Sequence, residues 1–297
     1  MFIKFHSKKT CYDNIYKQME EYDPDVVISV HPTMNHIPEL VTREIGKKRG
    51  KHLPFFTVVT DFGSGHGTWF QGNPNKIYIA SDRIKSLAMK CGKGVNEENL
   101  VMTGLPIRDD FAIHAEKMGP RTSAEGKKYR NLIKSELGLN PDKKVVLVMG
   151  GGEGVGSLGE IAEKIYLELR AKGVDATVCV VCGRNEILKA EFGSKDWDAI
   201  FSKHEQKQNK WNGKKLMRLI IERKQATSEN TIVKEGNVEV IGLGFVKNMA
   251  DYMVAADALV SKAGPGTIAE AAAVGLPVMI TRYVVQLVFS APVIPIY

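Results

Sequence analysis

The sequence predicts an α/β protein built from two doubly wound, Rossmann-like units. Three observations carry that expectation. Short runs rich in β-branched residues recur through the 297 residues. Stretches with helical spacing separate them. The later runs are almost continuously apolar, as parallel strands covered on both faces require.

In the first unit the strand candidates are 25–30, 55–61, 76–80 and 100–104, with helices at 38–48 and 82–91 between them. Before them the chain opens into charged, helix-like sequence. Residues 115–128 are polar and hold Gly119, Pro120 and Gly126, so they read as a linker. A helix follows, with Leu132, Ile133 and Leu137 on its apolar side and Gly138 closing it. The second unit offers strands at 144–149, 176–181, 238–242, 258–260 and 277–280. The division expected is therefore 1–120 for the first domain, 121–140 for the linker and its helix, and 141–297 for the second domain. A basic insert at 203–235 interrupts the second domain. Two such domains facing one another leave a cleft, and ligands favour the carboxyl ends of strands there.

Composition narrows the function. The chain is 43% hydrophobic and 25% charged, with a net charge of +7, which suits a packed core. The basic excess is local: residues 203–224 hold eight Lys or Arg against two Glu. Nucleic-acid binding needs a basic face on a folded domain, so no nucleic-acid partner is expected. Within the insert, Leu216, Leu219 and Ile220 keep helical spacing among Lys214, Lys215, Arg218 and Arg223. This reads either as a solvated insertion or as a helix lying on anionic lipid. No apolar run is long enough to span a bilayer, and no leader segment is visible. Cys11, Cys91, Cys179 and Cys182 show no disulfide framework, so a reducing compartment is expected. Cys179 and Cys182 lie in strand-like sequence and read as two buried small hydrophobes.

The most informative segment runs from Asp257 to Pro277. A short strand ends, Gly264, Pro265 and Gly266 make a tight turn, and Thr267 opens a helix stopped by Gly275. Strand, glycine turn and helix start leave backbone N–H groups pointing outward, where the helix dipole favours an anion. Glu270 sits one turn deeper, suited to accept hydrogen bonds from two neighbouring sugar hydroxyls. The segment reads as a grip for a nucleoside diphosphate. A second glycine cluster, Gly150 to Gly159, also follows a strand. Gly154, Gly156 and Gly159 match G-x-G-x-x-G, and Arg184 after the next strand suits a 2′-phosphate, so an NADP-dependent oxidoreductase is an alternative. The other reading is a side-chain-free loop beside a ligand. In the first unit His31, His36, Asp61 and His66 fall at strand ends and are candidate acid–base groups. Trp69 and Phe70 read either as an apolar platform or as core. No zinc, Ser–His–Asp or Walker pattern occurs, and no metal site is expected.

Taken in order, Ser29-Val-His-Pro, Val59-Thr-Asp, His66-x-Thr-Trp-Phe, Thr103-Gly-Leu-Pro-Ile-Arg, Met149-Gly-Gly-Gly-Glu-Gly, Cys182-Gly-Arg-Asn, Gly244-Phe-Val and Lys262-Ala-Gly-Pro-Gly-Thr-Ile-Ala-Glu-Ala resemble the monogalactosyldiacylglycerol synthase family. The resemblance runs from about residue 22 to 280. A more distant likeness is to the bacterial N-acetylglucosaminyltransferase of peptidoglycan synthesis. The resemblance implies a GT-B fold and inverting transfer of galactose from UDP-galactose to 1,2-diacylglycerol. It implies no cofactor beyond the sugar nucleotide. Gly264, Pro265, Gly266, Thr267 and Glu270 would hold UDP, with the backbone at Phe245 and Val246 on uracil. Gly151, Gly152 and Glu153 would border the phosphates, and Arg184 would join the donor site. Pro32, Trp69 and Phe70 would meet the lipid acceptor. His31, Asp61 and His66 remain the candidate catalytic groups. An acyl substrate implies work at the surface of a plastid envelope, among anionic lipids. Three departures stand out. Nothing before Tyr22 matches the family's Gly-rich loop with its general-base His. The sequence from Thr281 departs from the family's sugar-reading segment, so both ends look truncated and both domains incomplete. The family's His-Pro-Thr-Trp is His66-Gly67-Thr68-Trp69 here. A non-catalytic relative that keeps the nucleotide site is the second alternative.

Overall fold

The computed structural model describes residues 2–92, 95–150, 158–207, 236–262 and 264–282. The chain divides into two compact units, Met1–Ile107 and Arg108–Tyr297. The division falls ahead of the expected boundary near 120. The 115–128 stretch is largely helical rather than a linker: α4 (Asp109–Met118) and α5 (Ala124–Glu136) cover most of it. Local chemistry explains why. Ser123 caps α5 by accepting from the Gly126 N–H at 3.0 Å, and Asp109 and Asp110 fill the first turn of α4, where the helix dipole favours acids.

The first unit opens with α1 (Phe2–Tyr22). Its sheet holds β1 (Val27–Ser29), β2 (Phe55–Val58), β3 (Lys76–Ile79) and β4 (Leu100–Met102), all parallel and in that order. Helix α2 (His36–Lys48) joins β1 to β2, and α3 (Asp82–Cys91) joins β3 to β4. Right-handed crossovers taken always in the same direction put helices on one face. Phe55, Val59, Ile77 and Ile79 are accordingly buried, the last three of them with Ile84 and Ala88 of α3. Ile37, Val41 and Ile45 of α2 pack with Leu53 and, more loosely, with Tyr12, Ile15 and Tyr16 of α1. Val26, Ile28 and Val30 point away from that core and stay 44%, 55% and 58% exposed.

The second unit adds β5 (Lys144–Met149), α6 (Leu158–Ala171), β6 (Ala176–Val181), α7 (Glu186–Ser194) and a helix α8 at 197–207. It continues with β7 (Val238–Leu243), α9 (Met249–Ala255), β8 (Ala258–Lys262), α10 (Pro265–Ala273) and β9 (Val278–Arg282). All five strands are parallel in the order β7-β6-β5-β8-β9. The chain therefore winds one way from β5 and then returns to β5's other side, which is the doubly wound pattern expected. Val148, Val178, Val180, Val240 and Val260 meet Leu158, Tyr166 and Phe192 in the core. Ile133 of α5 is buried as expected, but Leu132 is 53% exposed; adjacent helical positions differ by about 100°, so the two do not share a face. Cys179 and Cys182 are fully buried, and burial pushes their thiols up to about 12 and about 11. They are packing groups, as the strand pattern suggested.

The basic helix proposed at 214–223, the loop at 151–157 and the tail after Arg282 lie outside the described residues. Among the described residues no helix is long and apolar enough to cross a membrane.

Candidate functional site

In the second unit the winding reverses between β5 and β8, and ligands of doubly wound sheets sit beyond the carboxyl ends of the strands at such a reversal. Both strands end there in the two glycine clusters. Gly150 follows β5, and a Cβ on it would come within 2.8 Å of Leu158 at the start of α6. β8 ends with a register irregularity between Ser261 and Lys262 against β9. A bulge of this kind re-aims the chain at the rim of a sheet. Gly264 then caps α10 in an extended conformation, φ −77° and ψ 125°, and as a glycine it brings no side-chain cap to the helix start. Pro265 and Gly266 are exposed, and a Cβ on Gly266 would meet open space. The helix start is thus open, as an anion grip demands.

Glu270 lies one turn into α10 and is only 14% exposed. Its carboxylate meets a residue that the sequence reading quoted without giving it a role. Arg108, the N-cap of α4, donates from Nε to Oε1 at 2.8 Å and from Nη2 to Oε2 at 3.0 Å. This bond raises the guanidinium above its ordinary range, against the opposing effect of burial. Arg108 also stacks over the Phe111 ring at 4.9 Å. The 162 positions between Arg108 and Glu270 hid the pairing. The one signal was an arginine ending Thr103-Gly-Leu-Pro-Ile-Arg, a motif otherwise devoid of charge.

Arg184 and Phe245 come together beyond the ends of β6 and β7. β6 and β7 are paired through Val181 and Leu243, and the Cys182 N–H donates to the Leu243 carbonyl at 2.7 Å. Gly183 then turns the chain with φ +61°. The Arg184 guanidinium lies 5.9 Å from the Phe245 ring centre, and that ring is 64% exposed. Val246 beside it is half-buried. Gly242 is needed for packing: a Cβ there would lie 2.8 Å from the Lys189 carbonyl of α7. Gly151, Gly152, Glu153, Gly154 and Gly156 lie outside the described residues. Gly159 sits inside α6.

In the first unit the carboxyl ends of β1 and β2 lead into two turns of the same design. Each is a short 3₁₀ turn, Pro32–Met34 and Gly67–Phe70, capped by a histidine. His31 Nδ1 accepts the Thr33 N–H at 3.4 Å and lies 3.0 Å from its Oγ1. His66 Nδ1 accepts the Thr68 N–H at 3.3 Å and lies 2.8 Å from its Oγ1. A backbone N–H can only donate, so each neutral ring carries its proton on Nε2. Both rings therefore present a donor outward. Asn35, fully buried, ties the two turns: its amide donates to the carbonyls of Pro32 at 3.2 Å and Thr68 at 3.4 Å, while its oxygen accepts from Thr57 Oγ1 at 2.9 Å. The sequence reading missed this residue. Asp61 Oδ2 accepts from Trp69 Nε1 at 2.7 Å. Of the two readings of Trp69 and Phe70, platform or core, the structure has the core one. Both are 1% exposed within the core cluster, because the short turn directs them under the sheet; they form no surface platform. Pro32 is half-buried. His36 opens α2.

An open glycine elbow thus lies at the reversal of a doubly wound sheet with a carboxylate one turn in, and residues 192–283 match the family profile described as glycosyltransferase family 28 C-terminal domain. Residues 3–107 match the profile of monogalactosyldiacylglycerol (MGDG) synthase. The probable monogalactosyldiacylglycerol synthase 2, chloroplastic, of Oryza sativa subsp. japonica is 31% identical over 266 residues, 89% of this chain and 45% of the relative. Monogalactosyldiacylglycerol synthase 1, chloroplastic, of Arabidopsis thaliana is 30% identical over 273 residues, 91% of this chain and 41% of the relative. Over about nine-tenths of its length the chain is thus similar to MGDG synthases. It spans less than half the length of these relatives. Neither matching profile is that of an oxidoreductase. Among solved structures, MurG of Acinetobacter baumannii aligns with a TM-score of 0.48 at 13% identity, over 92% of this chain and 57% of that one. UGT71G1 of Medicago truncatula, complexed with UDP-glucose, aligns with a TM-score of 0.42 at 11% identity, over 92% of this chain and 60% of that one.

Proposed function

We propose that this chain carries the donor grip of an enzyme that moves galactose from UDP-galactose to the free hydroxyl of diacylglycerol, inverting the sugar carbon. The observation that carries the reading is the open start of α10, with Glu270 one turn inside it. The likeness to MGDG synthases suggests the sugar and the acceptor. In this reading the N–H groups at Gly266 and Thr267 neutralise the departing diphosphate, a contribution of up to about 2 kcal/mol from a helix end. Glu270 takes the ribose hydroxyls, and Arg184 and Phe245 border the uracil side. The attacking hydroxyl needs a base. Asp61, His31 and His66 are the candidates for that role, each already bonded within the first unit, Asp61 to Trp69 and the two rings to Thr33 and Thr68. No cofactor beyond the sugar nucleotide enters the reading. The acceptor requires a lipid surface, and the relatives' chloroplastic names favour a plastid envelope, with anionic lipid meeting the basic insert.

Incubation with UDP-galactose labelled in the sugar and vesicles containing diacylglycerol tests this. Label is expected in the lipid extract as a single β-linked galactolipid, and Glu270→Ala should reduce it at least tenfold. An unlabelled lipid extract under conditions where UDP-galactose binds would refute the reading.

A further inference from the structure

Glu270 has two oxygens to offer a ribose, and in this structure one side chain holds both. Arg108 bonds Oε1 through Nε at 2.8 Å and Oε2 through Nη2 at 3.0 Å. A guanidinium used in this way lies edge-on to the carboxylate and fills the lone pairs along that edge. Two adjacent hydroxyls that reach both oxygens need the same edge. The exposures give the order of approach: Glu270 is 14% exposed and Arg108 51%, so the arginine lies on the solvent side of the acid. Arg108 also stacks over the Phe111 ring at 4.9 Å and feels the Asp110 charge, contacts that do not depend on Glu270 and can hold the arginine once it is displaced. Arg108 has no part in capping α4 with its side chain, so helix formation does not fix it in place.

We propose that Arg108 is a latch on Glu270 which the ribose diol must displace, so that Arg108 sets how strongly the site distinguishes a nucleotide with free 2′- and 3′-hydroxyls from one without them. The inference rests on Glu270 as the ribose-holding group. It differs from the reading in which Arg108 merely orients Glu270 for the ribose, because the two give opposite signs on removal of the arginine.

The measurement is the ratio of affinities for UDP and 2′,3′-dideoxy-UDP in the wild type, Arg108→Gln, Arg108→Lys and Glu270→Ala. Contacts to phosphate and uracil are common to both ligands and cancel in the ratio. The latch predicts that Arg108→Gln raises the ratio about 2- to 5-fold, the scale of a partly exposed ion pair. Arg108→Lys, which keeps the charge but loses the two-point fork, should give a smaller rise. It also carries the test if the glutamine variant fails to fold, in which case an unchanged or lower ratio overturns the latch. An unchanged or lower ratio in Arg108→Gln likewise overturns it. Glu270→Ala separates the two claims. A ratio near 1 in that variant upholds the ribose reading whatever Arg108 does, and a wild-type ratio there refutes that reading and the latch with it.

Discussion

Arg121 shows how much one side chain can secure. Its guanidinium donates to the carbonyls of Val254 and Val274, each at 3.1 Å, of Met253 at 3.4 Å, and of Ala256. Those carbonyls belong to residues at the C-terminal ends of α9 and α10 that are themselves fully buried, and helix ends leave such groups without partners. Burial pushes the guanidinium down to about 10, so it stays charged at neutral pH. Arg121→Met should lower stability by about 1–3 kcal/mol, because the Val274 and Met253 carbonyls lose a charged donor while those of Val254 and Ala256 keep Arg130; urea unfolding would measure the loss. The sequence showed Arg121 only as one residue of a polar stretch. Glu270 was legible because its distance from Gly266 is a local, one-turn matter. Arg108 and Arg121 were not, because their partners lie more than a hundred positions away, and no local spacing encodes such pairs.

At the scale of elements, the repeated histidine-capped turns are the distinctive feature of the first unit. His31 and His66 each cap a 3₁₀ turn through the same Nδ1 contacts, and Asn35 fastens one turn to the other. Asn35→Ala strands Thr57 Oγ1 and frees both turns. It should cost about 1–3 kcal/mol and shift the ring resonances of His31 and His66 together in NMR spectra, whereas an effect confined to His31 would contradict the coupling. The periodic elements themselves were readable. Helix α3 matches its expected span, α10 begins at the proline of the elbow, and all five strands of the second unit fall where β-branched runs predicted. What the pattern could not supply was the use made of each turn. Trp69 reads equally well as platform or as core from the sequence, and the fold makes it core, with its indole anchored on Asp61. The 115–128 stretch looked like a linker because Gly and Pro punctuate it, but capping at Ser123 makes most of it helix.

At the scale of the whole molecule, acid sensitivity should trace to Asp257, which joins α5 to the start of the second unit's sheet. Its carboxylate receives Arg130 at 2.7 Å, the Val145 N–H at 2.9 Å and Lys134 at 3.3 Å. Burial alone would raise its pKa, but Arg130, the Val145 N–H and Lys134 together hold it below the ordinary carboxylate value. Lys134 is held below its own ordinary value by burial, which outweighs its attraction to Asp257. The gain therefore lies with the carboxylate, which meets three donors, while the buried ammonium is the costly partner. A lowered carboxylate pKa contributes stability above the unfolded value near 4, and that contribution is lost as pH falls through the folded value. The melting temperature should drop more steeply below about pH 4 in the wild type than in Asp257→Asn, and parallel curves would contradict this origin.

The central claim is that the glycine elbow before α10 and the carboxylate one turn within it hold a nucleoside diphosphate, and calorimetric titration of UDP into the wild type and Glu270→Ala tests it most directly. The account predicts saturable binding by the wild type, weakened about 10- to 100-fold by the substitution as two hydrogen bonds to a charged group are lost. No heat at millimolar UDP, or identical titrations of the two proteins, would contradict it.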